Sequence, residues 1–504
     1  MVVRRSPPLL WPALVFAAMG YVYLSRLNAA GLLGPDEPRY ASIAREMARS
    51  GDWITPRLWG RPWFEKPALL YWMSAAGFRL HLGPELAPRL PVALVALAFL
   101  GFYWWILRRE FGPRPAAYAV VMLATSLGWI GFSQVGATDL PMTAAFSAAM
   151  LLALPWIGKG ERRCLPLVGG LLGLAVLAKG LVPVVLAAPL MISPLLDGRG
   201  PEKLARWRSL FDPRVLAAFL VVALPWYVLC YLRNGRPFVE VFFWQQQFQR
   251  FGSPALQHVQ PWWFYIPVLL AGLLPWTPLA LLISPRRNWQ EPRRRFLLLW
   301  VVFGLAFFSL AVNKLPGYVL PLLPALCALA GIGIAEGEGA GPAAAPALAG
   351  SGVLLLAFPF AGQTLPQAVA SGLSHAGLLR EGLVRLEPAL PLALIAGALV
   401  WWLARRGRHA AGFAIVALCA ASGYVYLKFT ALPQVDAAAS GRGLWRQVQG
   451  RRDQTCIDTL NRDFRYGLNY YAETPLPDCS AEPRPFAIRQ GAGQTAGVVL
   501  SRRK

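Results

Sequence analysis

The sequence is poor in charge and in the side chains that commonly hold metals or form disulfide bonds. Only 15% of its 504 residues are Asp, Glu, Lys or Arg, and it has six cysteines and four histidines. It also lacks the G-x-G-x-x-G loop, the G-x-x-x-x-G-K-[ST] loop and the D-x-D motif, which bind nucleotides or their metal ions. A nucleotide-sugar donor and an ATP-driven reaction therefore have no support in the sequence.

Apolar residues make up 56% of the chain, and its mean hydropathy is +0.44. A soluble core cannot bury that much apolar surface, so lipid has to be the solvent for most of the chain. The formal charge of +24 raises nucleic acid as a partner, but the Lys and Arg residues cluster between apolar runs, as membrane topology requires. The composition predicts an all-α polytopic membrane protein that contacts lipid and no nucleic acid.

Windowed hydropathy predicts about thirteen transmembrane helices, since a span needs about 20 apolar residues. The first apolar run could instead belong to a signal peptide, with Arg4 and Arg5 as its charged region, but its length favours an uncleaved span. The fifth and sixth spans are short and nearly continuous, which leaves the count open by one or two. The predicted centres are Val15, Val95, Val121, Ala148, Leu172, Leu186, Val221, Leu270, Phe303, Leu322, Leu355, Leu394 and Ala417.

Clusters of Lys and Arg in alternate loops place the N-terminus inside. An odd number of spans then places the C-terminus outside, together with the first loop, residues 28–89. We predict a transmembrane domain over residues 1–432 and a small soluble domain over residues 433–504. In this polar tail Cys456 and Cys479 stand apart from the other cysteines, and an oxidising compartment would allow a disulfide bond between them.

The polar residues that topology does not explain gather on the outer side. Within the first loop, residues 39–50 have apolar side chains at helical spacing, which predicts an amphipathic helix lying on the bilayer, and residues 67–80 predict a second, apolar helix. Cations on this side could bind a phosphate leaving group, and a carboxylate could orient or deprotonate an acceptor. The candidates are Asp36, Glu37, Arg39, Glu65, Lys66, Asp139, Lys179, Arg250, His258 and Lys314.

Most of these residues have a structural alternative. Asp36 and Glu37 precede a helical pattern and could form its N-cap, while Glu65 and Lys66 could be a surface ion pair or a snorkelling anchor. Lys179 is a sharper candidate, because a single charge within an apolar run tends to be functional, although it too could snorkel to the interface.

The remaining candidates on the later loops are open to similar alternatives. Asp139, which precedes Pro141, could cap the fourth span. Arg250 and Tyr318 could be interfacial side chains, and His258 fits a surface histidine better than a metal ligand.

Six motifs in one order make the sequence resemble a known family. Together they resemble the bacterial ArnT-like glycosyltransferases, which are the aminoarabinose transferases of lipid A and their relatives in the protein O-mannosyltransferase group of the GT-C superfamily. The resemblance covers Leu9 to Pro324 and weakens after Ala330. The motifs are PDEPRYA from Pro35, GDWITPRLWGRPWFEKPALLYW from Gly51, ATDLPM from Ala137, AKG from Ala178, FFWQQQFQRF from Phe242 and NKLPGYVLPLLP from Asn313.

The resemblance implies a GT-C bundle with interfacial helices in the first loop, a catalytic domain over residues 1–432 and a periplasmic active site. It implies a location in the bacterial inner membrane, with the N-terminus in the cytoplasm and the C-terminus in the periplasm. The implied donor is a sugar on polyprenyl phosphate. The acceptor stays open between lipid A-like glycolipids, other envelope glycans and proteins.

The resemblance also implies roles for individual residues. Asp36 is expected near the acceptor, and Asp139 and Lys179 close to the sugar. The candidates are Asp36 and Asp139 as catalytic residues, Lys66, Arg250, Tyr318 and Lys179 for the donor phosphate, and Glu37, Arg39, Tyr40, Glu65 and Lys314 as supporting residues.

A divalent metal is left open. Some members of the resembled group bind a metal near the position of Glu65 with the help of a histidine, but this sequence has Gln247 at the corresponding place. Glu65 and His258 are the candidate ligands.

Two other functions compete with that of an ArnT-like glycosyltransferase: a transporter or flippase, and a different kind of membrane glycosyltransferase. A multi-pass transporter or a lipid or polysaccharide flippase would have similar spans, but polar groups gathered on one face suit an enzyme better. An O-antigen-type ligase or polymerase would not be expected to combine the Asp36-Glu37 and Glu65-Lys66-Pro67 motifs.

Overall fold

A computed structural model describes residues 10–196, 201–249, 260–337, 343–370, 388–490 and 498–502, and these residues are mostly helical. The helices are α1 (Leu10–Leu24), α2 (Asp36–Ser50), α3 (Leu69–Arg79), α4 (Leu86–Phe111), α5 (Pro113–Ala124), α6 (Leu127–Ser133), α7 (Asp139–Leu152), α8 (Leu154–Lys159), α9 (Leu165–Lys179), α10 (Val182–Leu186), α11 (Ala188–Leu196), α12 (Pro201–Ser209), α13 (Pro213–Asn234), α14 (Arg236–Val239), α15 (Tyr265–Gly272), α16 (Pro285–Gln290), α17 (Pro292–Leu310), α18 (Leu323–Gly337), α19 (Ala344–Val353), α20 (Ala357–Ala370), α21 (Ala389–Arg405), α22 (His409–Ala439), α23 (Gly441–Val448) and α24 (Arg462–Ala472).

Shorter elements complete this part of the chain. The segment Glu240–Gln249 is a π-helix, and the 3₁₀ helices are Trp262–Phe264, Thr277–Leu282, Pro316–Leu322, Leu354–Leu356 and Gln449–Gln454. The strands are β1 (Arg57–Leu58), β2 (Arg61–Pro62), β3 (Thr455–Thr459), β4 (Phe486–Gln490) and β5 (Val498–Arg502).

Long apolar helices make this a multi-pass membrane protein. Among the described residues, six helices are long and apolar enough to cross a membrane, or seven if the bent pair α5 and α6 counts as one span. The helix α13 shows why lipid is needed, because Val221 and Leu232 on its surface are 71% and 73% exposed. All thirteen centres predicted from hydropathy lie in helices, several of them short or broken.

Close glycine contacts bring α9 against α13. A side chain at Gly169 would lie 2.3 Å from the carbonyl oxygen of Val215, and one at Gly173 would lie 2.6 Å from that of Phe219. Small residues four apart allow two membrane helices to approach until their backbones touch. Since α9 also packs on α7, this contact fixes the end of α9 that carries Lys179.

The first loop folds onto the helices next to it. The helix α2 begins at Asp36, three residues before the predicted start, so Asp36 and Glu37 lie in its first turn and do not form its N-cap. It ends before Gly51, as predicted from the sequence. Its apolar residues Tyr40, Ile43 and Met47 are buried in the main core and pack against α3 rather than facing a bilayer. The helix is amphipathic as predicted, but α3 supplies the apolar surface that it covers.

The last part of the chain forms a small sheet with two helices. Strand β3 pairs in parallel with β4, and β4 pairs antiparallel with β5. A disulfide bond joins Cys456 to Cys479, which confirms the pairing suggested by the sequence. Helix α24 packs on α2, so this part of the chain lies against the first loop.

One buried ion pair joins the first loop to the transmembrane helices. The side chains of Glu37 and Arg89 are 1% and 5% exposed, and two hydrogen bonds of 2.7 and 2.8 Å connect them. Glu37 also accepts from the backbone N–H of Gly136 at 2.8 Å, and Arg89 donates to the carbonyl oxygens of Leu27 and Ala30. The start of α2 is therefore tied to the start of α4 and to the turn before α7.

Removal of Glu37 should destabilise the protein strongly. Glu37→Ala would leave Arg89 buried without its counter-charge, at a cost of roughly 3–5 kcal/mol. We expect a large fall in melting temperature for the purified protein in detergent, and partial recovery in the Glu37→Met/Arg89→Met double variant. Glu161→Ala, whose carboxylate is 43% exposed, is the control. A Glu37→Ala protein that melts like the wild type would contradict this assignment.

Candidate active site

Two groups of charged side chains lie at the helix ends next to the first loop. The first-loop cluster consists of Asp36, Arg39, Glu65 and Lys66. The Asp139 cluster consists of Asp139, Lys179 and Tyr318. Both contain only residues that the sequence predicts for the site.

Arg39 is the centre of the first-loop cluster. Its Nη2 atom donates to Asp36 Oδ1 at 2.5 Å and lies 3.0 and 2.9 Å from the two carboxylate oxygens of Glu65. Glu65 also accepts from Trp63 Nε1 at 3.1 Å and lies 3.3 Å from Lys66 Nζ. The two carboxylates and the two cations balance in charge.

Asp36 and Arg39 differ in their access to solvent. The Asp36 side chain is 48% exposed, whereas that of Arg39 is 2% exposed. Burial alone lowers the pKa of the Arg39 guanidinium, but the carboxylates of Glu65 and Asp36 outweigh burial and raise that pKa above its usual value. Arg39 therefore stays charged and holds one oxygen of an accessible carboxylate in place.

The Asp139 cluster joins three elements. Lys179 Nζ, at the end of α9, donates to Asp139 Oδ1 at the start of α7 over 2.6 Å. The same ammonium group lies 4.9 Å from the centre of the Tyr318 ring, on the 3₁₀ turn Pro316–Leu322. The ammonium group of Lys179 therefore pairs with a carboxylate and faces an aromatic ring.

Packing links the segments that carry the two clusters. Glu37, next to Asp36, binds the N–H of Gly136, three residues before Asp139. Phe64 and Ala68, on either side of Glu65 and Lys66, share an apolar cluster with Val176 and Leu177 near the end of α9. The turn that carries Lys66 therefore covers the end of the helix that carries Lys179.

Three further candidates have structural contacts. Glu37 is engaged by Arg89, and Tyr40 is buried with its ring 6.0 Å from that of Tyr71. The ammonium group of Lys314 donates to the carbonyl oxygens of Ala311 and Gln260, so it ties the turn before Tyr318 to residue 260. These contacts hold the first loop and the turn before Tyr318 in place.

Arg250 and His258 lie outside the described residues. Within the part of the chain that the structure describes, no group of three or more His, Cys, Asp or Glu side chains is arranged to hold a metal ion. The carboxylate of Glu65 lies among donors from Arg39, Trp63 and Lys66. The cations of Arg39 and Lys66 beside this carboxylate do not fit a divalent ion at Glu65.

Sequence reasoning missed two residues that shape the site. Arg89 is the only charged residue of α4 before Arg108, and it lies at the start of a long apolar run, a signal similar to the one that drew attention to Lys179. Tyr466, from the distant C-terminal segment, lies with its ring 5.3 Å from the Arg39 guanidinium carbon. The sequence contains no signal that would pair Tyr466 with Arg39.

Known proteins are similar to this chain in sequence and in fold. The family described as dolichyl-phosphate-mannose-protein mannosyltransferase matches residues 65–231. The undecaprenyl phosphate-alpha-4-amino-4-deoxy-L-arabinose arabinosyl transferase of Pseudomonas aeruginosa strain UCBPP-PA14 is 36% identical over 360 residues, which are 68% of this chain and 63% of the relative. The enzyme of the same name from Edwardsiella ictaluri is 35% identical over 61% of this chain and 56% of its own. The matched region thus spans less than two thirds of these relatives.

Solved structures agree over nearly the whole chain. The crystal structure of ArnT from Cupriavidus metallidurans bound to undecaprenyl phosphate has a TM-score of 0.75 and 25% identity, and the match covers 96% of this chain and 93% of that one. The archaeal oligosaccharyltransferase AglB from Archaeoglobus fulgidus has a TM-score of 0.51 at 12% identity, covering 93% of this chain and 65% of that one, which shows a shared fold only.

Gly317 leaves no room for a side chain beside the Asp139 cluster. An added Cβ would lie 2.5 Å from Asp139 Oδ1 and 2.9 Å from the ring of Phe132. Gly317→Ala should therefore displace Asp139 from Lys179 and lower stability by about 1–3 kcal/mol, measured as a loss of melting temperature. Gly131→Ala is the matched control, because a Cβ there meets nothing within 4 Å. Equal melting of both variants would contradict the geometry.

Proposed function

Because the chain is an ArnT-like protein by sequence and by fold, we propose that it is a membrane glycosyltransferase using a polyprenyl-phosphate sugar as its donor. The sugar passes to an acceptor on the outer face of the membrane. The observation that supports this proposal is that the accessible carboxylate of Asp36 is held by Arg39, while Lys179 is held by Asp139 on a segment that Glu37 ties to the start of the same helix.

The donor phosphate belongs between Lys66 and Lys179. Attack on the anomeric carbon breaks its bond to the phosphate oxygen, and the polyprenyl phosphate leaves with growing negative charge. Cations held in fixed positions stabilise that charge without having to reorganise. Glu65 and Asp139 keep the two lysines in place before the donor binds, while Tyr318 and Arg250 complete the phosphate site by the family resemblance.

The acceptor side belongs to Asp36. Arg39 binds one of its carboxylate oxygens, and the side chain is open enough to meet an acceptor. For a hydroxyl acceptor, Asp36 takes the proton as general base while the oxygen attacks the anomeric carbon. A phosphate acceptor needs no base, and Asp36 then only orients it. Asp139 lies beside the sugar, where it holds Lys179 against the leaving group.

The finer topology is part of the same proposal. We infer about thirteen spans, an inner-membrane location and a cytoplasmic N-terminus. A transmembrane catalytic domain over residues 1–432 and a periplasmic domain over residues 433–504 follow from that arrangement. The Cys456–Cys479 bond supports a periplasmic tail, since disulfides persist in oxidising compartments.

The substrates follow from the relatives. Undecaprenyl phosphate-linked 4-amino-4-deoxy-L-arabinose is the first donor to examine, because the curated relatives are named for it. The acceptor is a lipid A-like glycolipid, another envelope glycan or a protein, and the chemistry of Asp36 allows each of them.

A donor panel tests the activity. Protein reconstituted in lipid vesicles should consume one of several polyprenyl-phosphate sugars, release polyprenyl phosphate and give a glycosylated product of the expected mass. Movement of a lipid across the vesicle membrane without a glycosidic product would favour the transporter and overturn the enzyme.

The site assignment predicts a loss of kcat from a change on the acceptor side and another from a change on the donor side. Asp36→Asn should lower kcat about 10²- to 10⁴-fold with a hydroxyl acceptor, as expected for loss of a general base. Lys66→Met should lower kcat about 10²- to 10³-fold by removing charge stabilisation of the leaving group. Rates are measured by mass spectrometry of the product.

Lys159→Met and Glu161→Gln serve as controls, because their side chains are 64% and 43% exposed and lie beyond the opposite end of α7. Wild-type rates in Asp36→Asn and Lys66→Met, with normal melting, would rule out the assignment.

A further inference from the structure

The C-terminal helix α24 places an aromatic ring against the first-loop cluster. The Tyr466 ring stacks on Trp59, with ring centres 5.7 Å apart and planes 19° apart. The ring also contacts the buried guanidinium of Arg39, whose carbon atom lies 5.3 Å from the ring centre. A residue from the last part of the chain thus reaches the group that binds both Asp36 and Glu65.

Aromatic rings are needed to hold the Arg39 guanidinium, because hydrogen bonds satisfy only part of it. Nη2 binds the two carboxylates, but Nε and Nη1 are buried and have no hydrogen-bond partner among the described residues. The rings of Tyr40, Trp63 and Tyr466 all lie within 5.9 Å of the guanidinium carbon. A desolvated cation over aromatic faces is stabilised by their quadrupoles, which fixes the plane of the guanidinium.

Trp59 has a positive φ angle, and its stacking on Tyr466 helps to explain why this conformation is kept. It forms the turn between β1 and β2 with Gly60, and their φ angles are +53° and +80°. Asn or Gly is the usual residue at the first position of such a turn, and a bulky side chain there is strained. The stack on Tyr466 holds the strained tryptophan, and β2 leads directly to Trp63 and Glu65.

Other contacts fix α24 on the first loop. Glu473, at its end, receives two hydrogen bonds of 2.9 Å from Arg49, and the Tyr470 hydroxyl donates to the carbonyl oxygen of Pro84 at 2.6 Å. Tyr471 donates to Glu85 at 3.0 Å. These contacts hold the helix without touching Arg39, so the position of Tyr466 is set independently.

From this geometry we propose that Tyr466 is a positioning residue of the active site, acting through Arg39 on Asp36 and on the Glu65–Lys66 turn. The inference rests on the proposed function. The C-terminal segment then forms one wall of the site rather than a separate module, and the acceptor meets residues from both ends of the chain.

The charge of the neighbouring Asp463 agrees with this placement. Asp463 lies one turn before Tyr466 on the same face of α24. Partial burial raises the pKa of its carboxyl, Arg462 opposes the shift, and the negative charge of Asp36 raises it further. This face of the helix is therefore within electrostatic reach of Asp36.

Substitutions of Tyr466 test the inference with the donor found for the wild-type protein. Tyr466→Phe keeps the ring and should retain most of the activity. Tyr466→Leu removes the aromatic face and should lower kcat about tenfold with little change in the KM of the acceptor. Glu473→Gln is the matched control, because it weakens docking of the same helix without touching Arg39.

A double-mutant cycle separates positioning from packing. If Tyr466 acts through Arg39, the loss in Tyr466→Leu/Arg39→Lys should be well short of the product of the two single losses. Two independent losses, or full kcat in Tyr466→Leu, would overturn the inference. So would equal losses of kcat in Tyr466→Leu and Glu473→Gln, since general docking would then explain both.

A second readout does not require transfer. Affinity for undecaprenyl phosphate alone, measured by thermal shift, should fall several-fold in Tyr466→Leu and remain in Tyr466→Phe, because Glu65 orients Lys66. Failure of the wild type to form any product would refute the proposed function. Unchanged undecaprenyl phosphate affinity in Tyr466→Leu would refute the positioning role.

Discussion

The buried pair of Glu37 and Arg89 is the interaction on which the rest of the site depends. Two desolvated charges are tolerable in a protein interior only when each is fully hydrogen-bonded, and this pair meets that condition with five backbone partners besides its own contacts. Its hydrogen bonds to the turn before α7 and to the chain before α2 connect two segments that do not belong to the same helix or sheet. The start of α2, at Asp36, is thereby tied to the turn that leads to Asp139.

The charges of the two clusters are arranged to balance before any substrate arrives. Each lysine or arginine of the described site faces a carboxylate, so no cation of the two clusters pays the full cost of desolvation alone. A bound phosphate would change that balance and draw the lysines towards itself. The carboxylates then hold the cations in position before the phosphate binds. This agrees with the proposed division, in which the lysines bind the donor phosphate and Asp36 meets the acceptor.

Much of this arrangement could be predicted from the sequence. Helices lie at every predicted span centre, the first-loop helices are present, and Cys456 bonds to Cys479. Local patterns suffice for such features, because they depend on neighbouring residues. The cover over the apolar face of α2, the partner of Glu37 and the approach of Tyr466 to Arg39 could not be predicted. Each of them joins residues far apart in the chain, and only the packing of the whole fold decides which ones meet.

The docking of α24 on the first loop also bears on how the protein is made. Arg442 binds the carbonyl oxygens of Asn28 and Ala29, and Tyr471 binds Glu85, so residues near both ends of the chain lock together on one side of the bundle. A ribosome inserts the first loop long before it delivers these partners. During biosynthesis the first loop therefore lacks these contacts until the last part of the chain has been made.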